Sequence, residues 1–189
     1  MNETLPLRDS SFAYGRISRL LHWTIAALVL LQFTGMGLKL WLGRESELAG
    51  FMVGLHQPTG TILFVLIVIR VIWALLNRAN RPHHGGGAFG LAASAGHFLL
   101  YVMMVFVPFA ALARAWGSDR GFAPFGFQIF APQTQEVAWT QAIGGWHGEV
   151  AWAFGLVILG HILMVGVHET MWRDGTLAKM AGRLRRNPA

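Results

Sequence analysis

The sequence contains no cysteine. That absence excludes disulfides, zinc–thiolate sites, iron–sulfur clusters and thiol nucleophiles, and it leaves eight histidines as the strong metal-ligating side chains. Charge is also scarce: 13% of the 189 residues are charged against 54% hydrophobic, too apolar for a soluble domain of this length. A membrane protein is expected, and any metal centre in it should be histidine-ligated. The net charge of +6 raises nucleic acid as a partner, but the basic residues lie between long apolar runs, with no single stripe interleaved by aromatics. No nucleic-acid binding is expected. The N-terminus also lacks a short apolar core followed by a small-residue cleavage site, so the first hydrophobic run reads as a retained anchor.

What is present is a set of long apolar runs. Roughly 20 residues cross the hydrocarbon core as a helix, and four stretches satisfy this: about Leu20–Leu42, Gly50–Leu76, Leu91–Trp116 and Gly145–Trp172. Nothing remains for a soluble domain, so the sequence predicts an all-α, four-helix membrane bundle forming one transmembrane domain over residues 1–189. The short links, Arg44–Glu47 and Asn77–Gly90, make successive helices antiparallel neighbours. The third connection, Gly117 to Gly144, carries Phe122, Phe125, Phe127, Phe130 and Trp139; it is expected to cap the bundle on the membrane surface, with room for a short interfacial helix.

Lysines and arginines near the span ends set the orientation. One side collects Arg8, Arg16, Arg19, Arg78, Arg81, Arg173, Lys179, Arg183, Arg185 and Arg186. The other has Lys39, Arg44, Arg114 and Arg120, balanced by Glu45, Glu47, Asp119 and Glu136. Both termini are therefore expected in the cytoplasm. Trp23, Trp41, Trp73, Trp116, Trp146 and Trp172 fall near span ends, as an aromatic belt does.

An ionisable group inside a span is costly, so His22, His56, His97, His147, His161 and His168 each need a reason to be there. Any one of them reads equally well as a hydrogen-bonded interhelical histidine. The spacing of the set points further. His147 and His161 are 14 residues apart on the fourth span, about four turns and ~21 Å of rise, with an angular offset of only about 40°. They face one way at two depths. The antiparallel partners offer His56 near the outer end of span two and His22 near the inner end of span one, so each depth has two imidazoles. Paired neutral imidazoles across a bundle core are what a six-coordinate haem iron accepts, and two stacked haems b are expected. His168 could also stand opposite His22, but His147 to His168 spans ~31 Å of rise, too far for useful electron tunnelling.

Arg70, 14 residues after His56, reaches the depth of the other haem on nearly the same face, where it can pair a propionate; snorkelling to the headgroups is the competing account. Arg16 and Arg19 are further propionate candidates, although positive-inside anchoring explains them without a haem. His168, at the inner rim, reads either as a contact to a quinone oxygen or as an interfacial histidine. His97 stands between a propionate or quinone contact and a packing role. Glycines 54, 60, 148, 155 and 160 would let a flat macrocycle, or equally another helix, approach the backbone. His83 and His84, beside Gly85–Gly87, read as solvated loop residues.

The stretches Arg19-Leu20-Leu21-His22-Trp23, Leu55-His56-Gln57-Pro58-Thr59-Gly60 through Arg70, Gly96-His97-Phe98-Leu99-Leu100-Tyr101, Trp146-His147-Gly148-Glu149, and Gly160-His161 through His168 to Trp172-Arg173-Asp174-Gly175-Thr176-Leu177 together resemble the bacterial cytochrome b561 type. That family includes superoxide oxidase and the b-type subunits of nickel–iron hydrogenases. The resemblance spans nearly the whole chain. It implies ligation by His22 with His161 and by His56 with His147, residence in the bacterial inner membrane, and electron exchange with membrane quinone, which is ubiquinone in the superoxide oxidase branch. With short loops and no fused domain, the chain looks most like the superoxide oxidase branch, which implies oxidation of superoxide to dioxygen on the periplasmic side. Bis-histidine ligation would confine that reaction to the haem edge. The outer loops, with about as many acids as bases, form no basic funnel for an anion. The alternative is a cytochrome b subunit passing electrons between a periplasmic dehydrogenase or c-type cytochrome and the quinone pool. A histidine-lined metal transporter is a third reading, which expects a colourless protein.

Overall fold

A computed structural model describes residues 6–43, 45–83 and 85–182; Arg44, His84, Arg183, Arg185 and Arg186 lie outside the described residues. The chain folds as an all-α bundle: α1 (Arg16–Leu42), α2 (Glu47–Leu76), α3 (Gly87–Trp116), α4 (Ala138–Gly145), α5 (His147–Val167) and α6 (Thr176–Ala181). Among the described residues, four helical segments are long and apolar enough to cross a membrane: α1, α2, α3 and the run Ala138–Trp172. At 1.5 Å per residue, the 27 residues of α1 rise about 40 Å, beyond the ~30 Å hydrocarbon core.

Local chemistry sets the helix ends. Gly43, at φ 80°, stops α1 in a conformation costly for other residues. The Ser46 hydroxyl accepts from Ala49 N at 3.4 Å, and Glu47 lies in the first turn of α2, where the helix dipole favours an acid. Pro58 and Pro108 sit inside α2 and α3, a pattern tolerated in apolar helices whose freed carbonyls find other partners.

α1 packs along α2 and α3 along α5, with α2 and α3 joining the two hairpins. The shared core takes residues from all four long helices: Ile25 and Val29, Leu63 and Ile67, Met104, and Phe154. It is thin. Leu30, Ile69, Phe98, Val102, Leu156 and Leu163 are exposed, an apolar extent that suits a lipid environment. Within the α1–α2 pair, Gln32 Nε2 donates to His56 O and Thr59 Oγ1, both at 3.1 Å.

The N-terminal segment folds across one end of the bundle. Arg16 N donates to Pro6 O (2.9 Å) and Tyr14 N to Lys179 O (3.1 Å), so the segments flanking α1 and α6 share that end. Asp9, with a fully buried side chain, accepts from Gly15 N at 2.9 Å and from Arg81 Nε at 3.1 Å. Gly15 is required there, because a Cβ would overlap the Arg8 backbone. At the opposite end, the α3–α4 connection closes through an antiparallel bridge between Phe122 and Phe130, whose rings stack. The eight-residue α4 then seats Thr140 against Gly117.

Candidate cofactor site

The structure brings the histidines together at two levels. Toward the α3–α4 loop, His56 of α2 faces His147, the first residue of α5, with ring centroids 6.0 Å apart and planes at 89°. Toward the end where the segments flanking α1 and α6 meet, His97 of α3 faces His161 of α5, with centroids 5.4 Å apart and planes at 86°. α5 is continuous between them, so the two levels are separated by about 21 Å of helical rise.

Hydrogen bonds fix the rings. His147 Nδ1 lies 2.8 Å from the carbonyl of Val107, the residue before Pro108, and His97 Nδ1 lies 2.7 Å from Ala93 O. A carbonyl only accepts, so each Nδ1 carries the hydrogen and each Nε2 keeps its lone pair, the arrangement that metal-ligating histidines use. His56 Nδ1 is buried with no hydrogen-bond partner among the described residues. Such an orphan costs about 1–3 kcal/mol and marks a position at which the protein alone is incomplete.

The spacing of the outer pair fits a planar metal cofactor that His56 and His147 would hold between them. Two metal–nitrogen bonds of about 2 Å, with about 1 Å from each nitrogen to its ring centre, set opposed imidazole centroids about 6 Å apart. The observed 6.0 Å matches that separation. Beside these rings, a Cβ on Gly54, Gly96, Gly148 or Gly160 would meet nothing within 4 Å. Close helix packing therefore does not account for these glycines, whereas Gly60 abuts Gln32 and Gly155 abuts Phe33.

His22 occupies a different setting. Arg70 Nη2 lies 3.3 Å from His22 Nδ1, and Arg70 Nη1 donates to Ser18 O at 3.2 Å. The ring lies within charge-interaction range of His161 and His97. A guanidinium can only donate, so in this contact Nδ1 accepts and Nε2 carries the hydrogen. Ligation of a metal through Nε2 and this Arg70 contact are mutually exclusive. Arg70 also stacks over the Tyr101 ring at 5.8 Å, and Arg81 Nη1 donates to Tyr101 Oη at 3.5 Å. The Arg81 guanidinium lies over Tyr14 at 5.7 Å, and burial pushes the Tyr14 hydroxyl above its ordinary range, leaving it a neutral phenol.

The remaining residues singled out from the sequence divide clearly. Arg19 is buried and committed to carbonyls, its Nε donating to Tyr14 O (2.8 Å) and its Nη2 to Lys179 O (3.0 Å). Arg16 is exposed, as is His83. Trp23, Trp41, Trp116, Trp146 and Trp172 are exposed, but Trp73 turns inward to donate to the buried Ser18 hydroxyl at 2.9 Å. His168 meets Asp174 at 2.6 Å.

Sequence reasoning missed Tyr101, Arg81, Asp9 and Asp174. Tyr101 was within reach, since it stands four residues after His97 on the same helix face. Arg81 reads from the sequence only as one of the basic residues that set the orientation.

A family profile described as prokaryotic cytochrome b561 matches residues 13–183. Among individual proteins, the chain is similar to cytochrome b561 homolog 2 of Escherichia coli (strain K12), 28% identical over 175 residues, covering 90% of this chain and 92% of that protein. Cytochrome b561 homolog 1 of the same organism is 25% identical over 166 residues, covering 86% of this chain and 93% of the relative.

Proposed function

The chain belongs to the prokaryotic cytochrome b561 family, and from that premise we propose that this membrane haem b electron-transfer protein holds two haems and passes electrons from the periplasmic face to ubiquinone at the cytoplasmic face. The whole chain is read as one transmembrane domain of the inner membrane with both termini in the cytoplasm, an orientation supported by the basic residues gathered at that end.

One observation carries the reading: imidazoles from neighbouring helices meet at two levels 14 residues apart on a single helix. His56 and His147 would hold the outer haem; His161 would hold the inner one with His22, the partner the family resemblance implies and one within charge-interaction range of His161, although His97 is the imidazole that faces His161 in the structure. Held by these imidazoles, a haem b would supply single-electron transfer. Arg70 and His97 would then bind the carboxylate arms of the inner group, Arg70 exchanging its contact with His22 for a carboxylate. Arg16 and Arg19 contribute positive charge at the same end. His168, at the rim beyond the inner level, would bind the quinone.

Superoxide is the proposed electron source. Two superoxide anions release two dioxygen molecules and two electrons, which with two protons convert one quinone to a quinol. A protein donor is the second reading, favoured by the near-neutral outer loops and the exposed aromatic pair Phe125 and Phe127. In it, a periplasmic dehydrogenase or c-type cytochrome replaces superoxide.

The test is a haem-to-protein ratio with a reduced-minus-oxidised spectrum of the purified protein, followed by superoxide pulses. Two haems per chain, reduced by superoxide at near-diffusion rates, are expected. Two haems inert to superoxide would select the protein donor, and a protein without iron porphyrin would overturn both readings.

A further inference from the structure

Beyond the inner histidine level, the fourth span changes its winding. α5 runs as a regular helix to Val167, and the next five residues, His168–Trp172, form a wider π-type turn. Such turns are uncommon and concentrate at functional sites. Arg173 follows at φ 51°, the one non-glycine residue at positive φ among the described residues, a conformation costing roughly 1–2 kcal/mol. Regular helical winding would carry position 174 about 240° around the axis from position 168. The widened turn and the left-handed residue instead fold Asp174 back onto His168.

The returned carboxylate is fully employed. Asp174 Oδ2 lies 2.6 Å from His168 Nδ1, Oδ1 accepts from Thr176 N at 3.0 Å, and Asp174 N donates to His168 O at 3.4 Å. Partial burial pulls the Asp174 carboxyl upward, but the Thr176 and His168 hydrogen bonds outweigh it and hold the group down to about 2. It is a permanent anion and can only accept. Trp172 meets His168 edge-on at 4.6 Å and is itself braced by Phe89 of α3 at 5.7 Å. The imidazole is thus fixed by a carboxylate on one nitrogen and an indole against its ring, while 23% of the side chain stays open to solvent.

We propose that His168 and Asp174 form a proton-transfer site for the quinone, in which His168 Nε2 donates to the quinone oxygen and Asp174 is the positioning residue that orients the ring. This rests on the quinone reading given above. Because Asp174 always takes the Nδ1 hydrogen, Nε2 is the nitrogen that gains and loses the mobile proton. His168 lies seven residues, two turns, beyond His161 and on the same face, so the donor stands next to the inner electron level. The balance is simple. As the quinone takes each of two electrons, an Nε2–H bond breaks and an O–H bond forms. His168 is left neutral with Nδ1–H on Asp174, and it recovers a proton from water at its exposed edge before the second transfer.

The test uses purified, haem-loaded protein in nanodiscs, reduced with dithionite and mixed with a short-chain ubiquinone while haem reoxidation is followed by stopped flow. Asp174→Asn is expected to slow reoxidation by about 10- to 100-fold, the range for removing a group that orients a reacting one, with haem content and spectrum unchanged. Asp174→Glu, which keeps the anion, is expected to recover most of that loss. The deciding comparison is a double-mutant cycle: His168→Gln with Asp174→Asn should be no slower than His168→Gln alone. Wild-type rates in Asp174→Asn, or two losses that multiply in the double variant, would overturn the dyad while leaving the quinone reading standing. Wild-type haems that quinone does not reoxidise would overturn both.

Discussion

Removing the Asp9 carboxylate should loosen the whole terminus-bearing end of the bundle. The Asp9 side chain is fully buried, its partner Arg81 is 20% exposed, and it also receives the Gly15 backbone N–H where α1 begins. Breaking a buried ion pair by deleting one partner costs about 3–5 kcal/mol, and the partial exposure of Arg81 places this case near the lower bound, about 3 kcal/mol. In Asp9→Ala the Gly15 N–H also loses its acceptor, adding about 1 kcal/mol. Asp9→Asn keeps an oxygen for Gly15 and loses mainly the charge, for about 2 kcal/mol. At roughly 2–4 °C per kcal/mol for a chain of this size, Asp9→Ala should melt about 8–16 °C lower and Asp9→Asn about 4–8 °C lower. The assay is thermal loss of haem absorbance in nanodiscs. Because Arg81 reaches Tyr101, over which Arg70 lies, the inner spectral component should be lost before the outer. Melting of both variants within about 2 °C of the parent would refute the assignment of Asp9 as a structural anchor.

Single alanine substitutions at His56 and His147 are expected to abolish one spectral component, and those at His22 and His161 the other, with His97→Ala retaining both. A spectrum in which His97→Ala loses the inner component and His22→Ala keeps it would reassign that ligand. Gly148→Val, introduced where a Cβ meets nothing within 4 Å, should leave helix content by circular dichroism unchanged yet reduce haem occupancy to about one per chain; unchanged occupancy would return this glycine to a packing role. Arg70→Gln should lower the inner reduction potential: a charge interaction of about 4 kcal/mol at 4 Å halves when the separation doubles, and the resulting ~2 kcal/mol is on the order of 80 mV for one electron. A potentiometric titration showing no shift, or a rise, would refute that sign. Asp174 has its carboxyl held down to about 2, below its ordinary value, so its contribution to the turn is complete above about pH 4 and is lost as pH falls through about 2. Amide exchange at Thr176 should accelerate only across that window.

Much of the fold is legible in the sequence because the bilayer imposes a length: a run of about 20 apolar residues has one stable way to satisfy its backbone. The two histidine levels are legible for a similar reason, since 14 residues on a helix fix both rise and face. Rise alone does not say which helix stands opposite. Depth pairs His161 with His22 of α1, and the structure adds a second neighbour that depth does not reveal, because α3 lies alongside α5 and brings His97 to 5.4 Å of His161. Two further features left no periodic trace. Asp9 and Arg81 are 72 residues apart and meet only because the N-terminal segment crosses the bundle end. Asp174 would point away from His168 in any regular helix, and it returns through a π-type turn and a left-handed arginine.

The placement of Arg70 separates topology from function. A basic residue near a helix end satisfies the positive-inside bias most cheaply by extending its head into water. Arg70 instead turns inward, to Ser18 O, His22 and the face of Tyr101, and among the described residues no carboxylate meets it directly. Arg81, close by on the same tyrosine, has Asp9 as its acid, so the cluster keeps an excess of one positive charge beside the inner histidines. The outer level has a weaker counterpart: Lys39, lining an open cavity of about 310 Å³ with Met36, Val53, Gly54, His56 and Gln57. Buried positive charge stabilises whichever redox state carries the extra electron, and it does so more strongly in low dielectric than at an open surface. On the proposed reading, an electron entering near His56 and His147 is held more tightly once it reaches His161. That end of the bundle also carries the His168–Asp174 pair, where protons from the cytoplasm would meet it. Topological anchoring alone gives no reason to turn Arg70 inward; the proposed inward-directed electron path would.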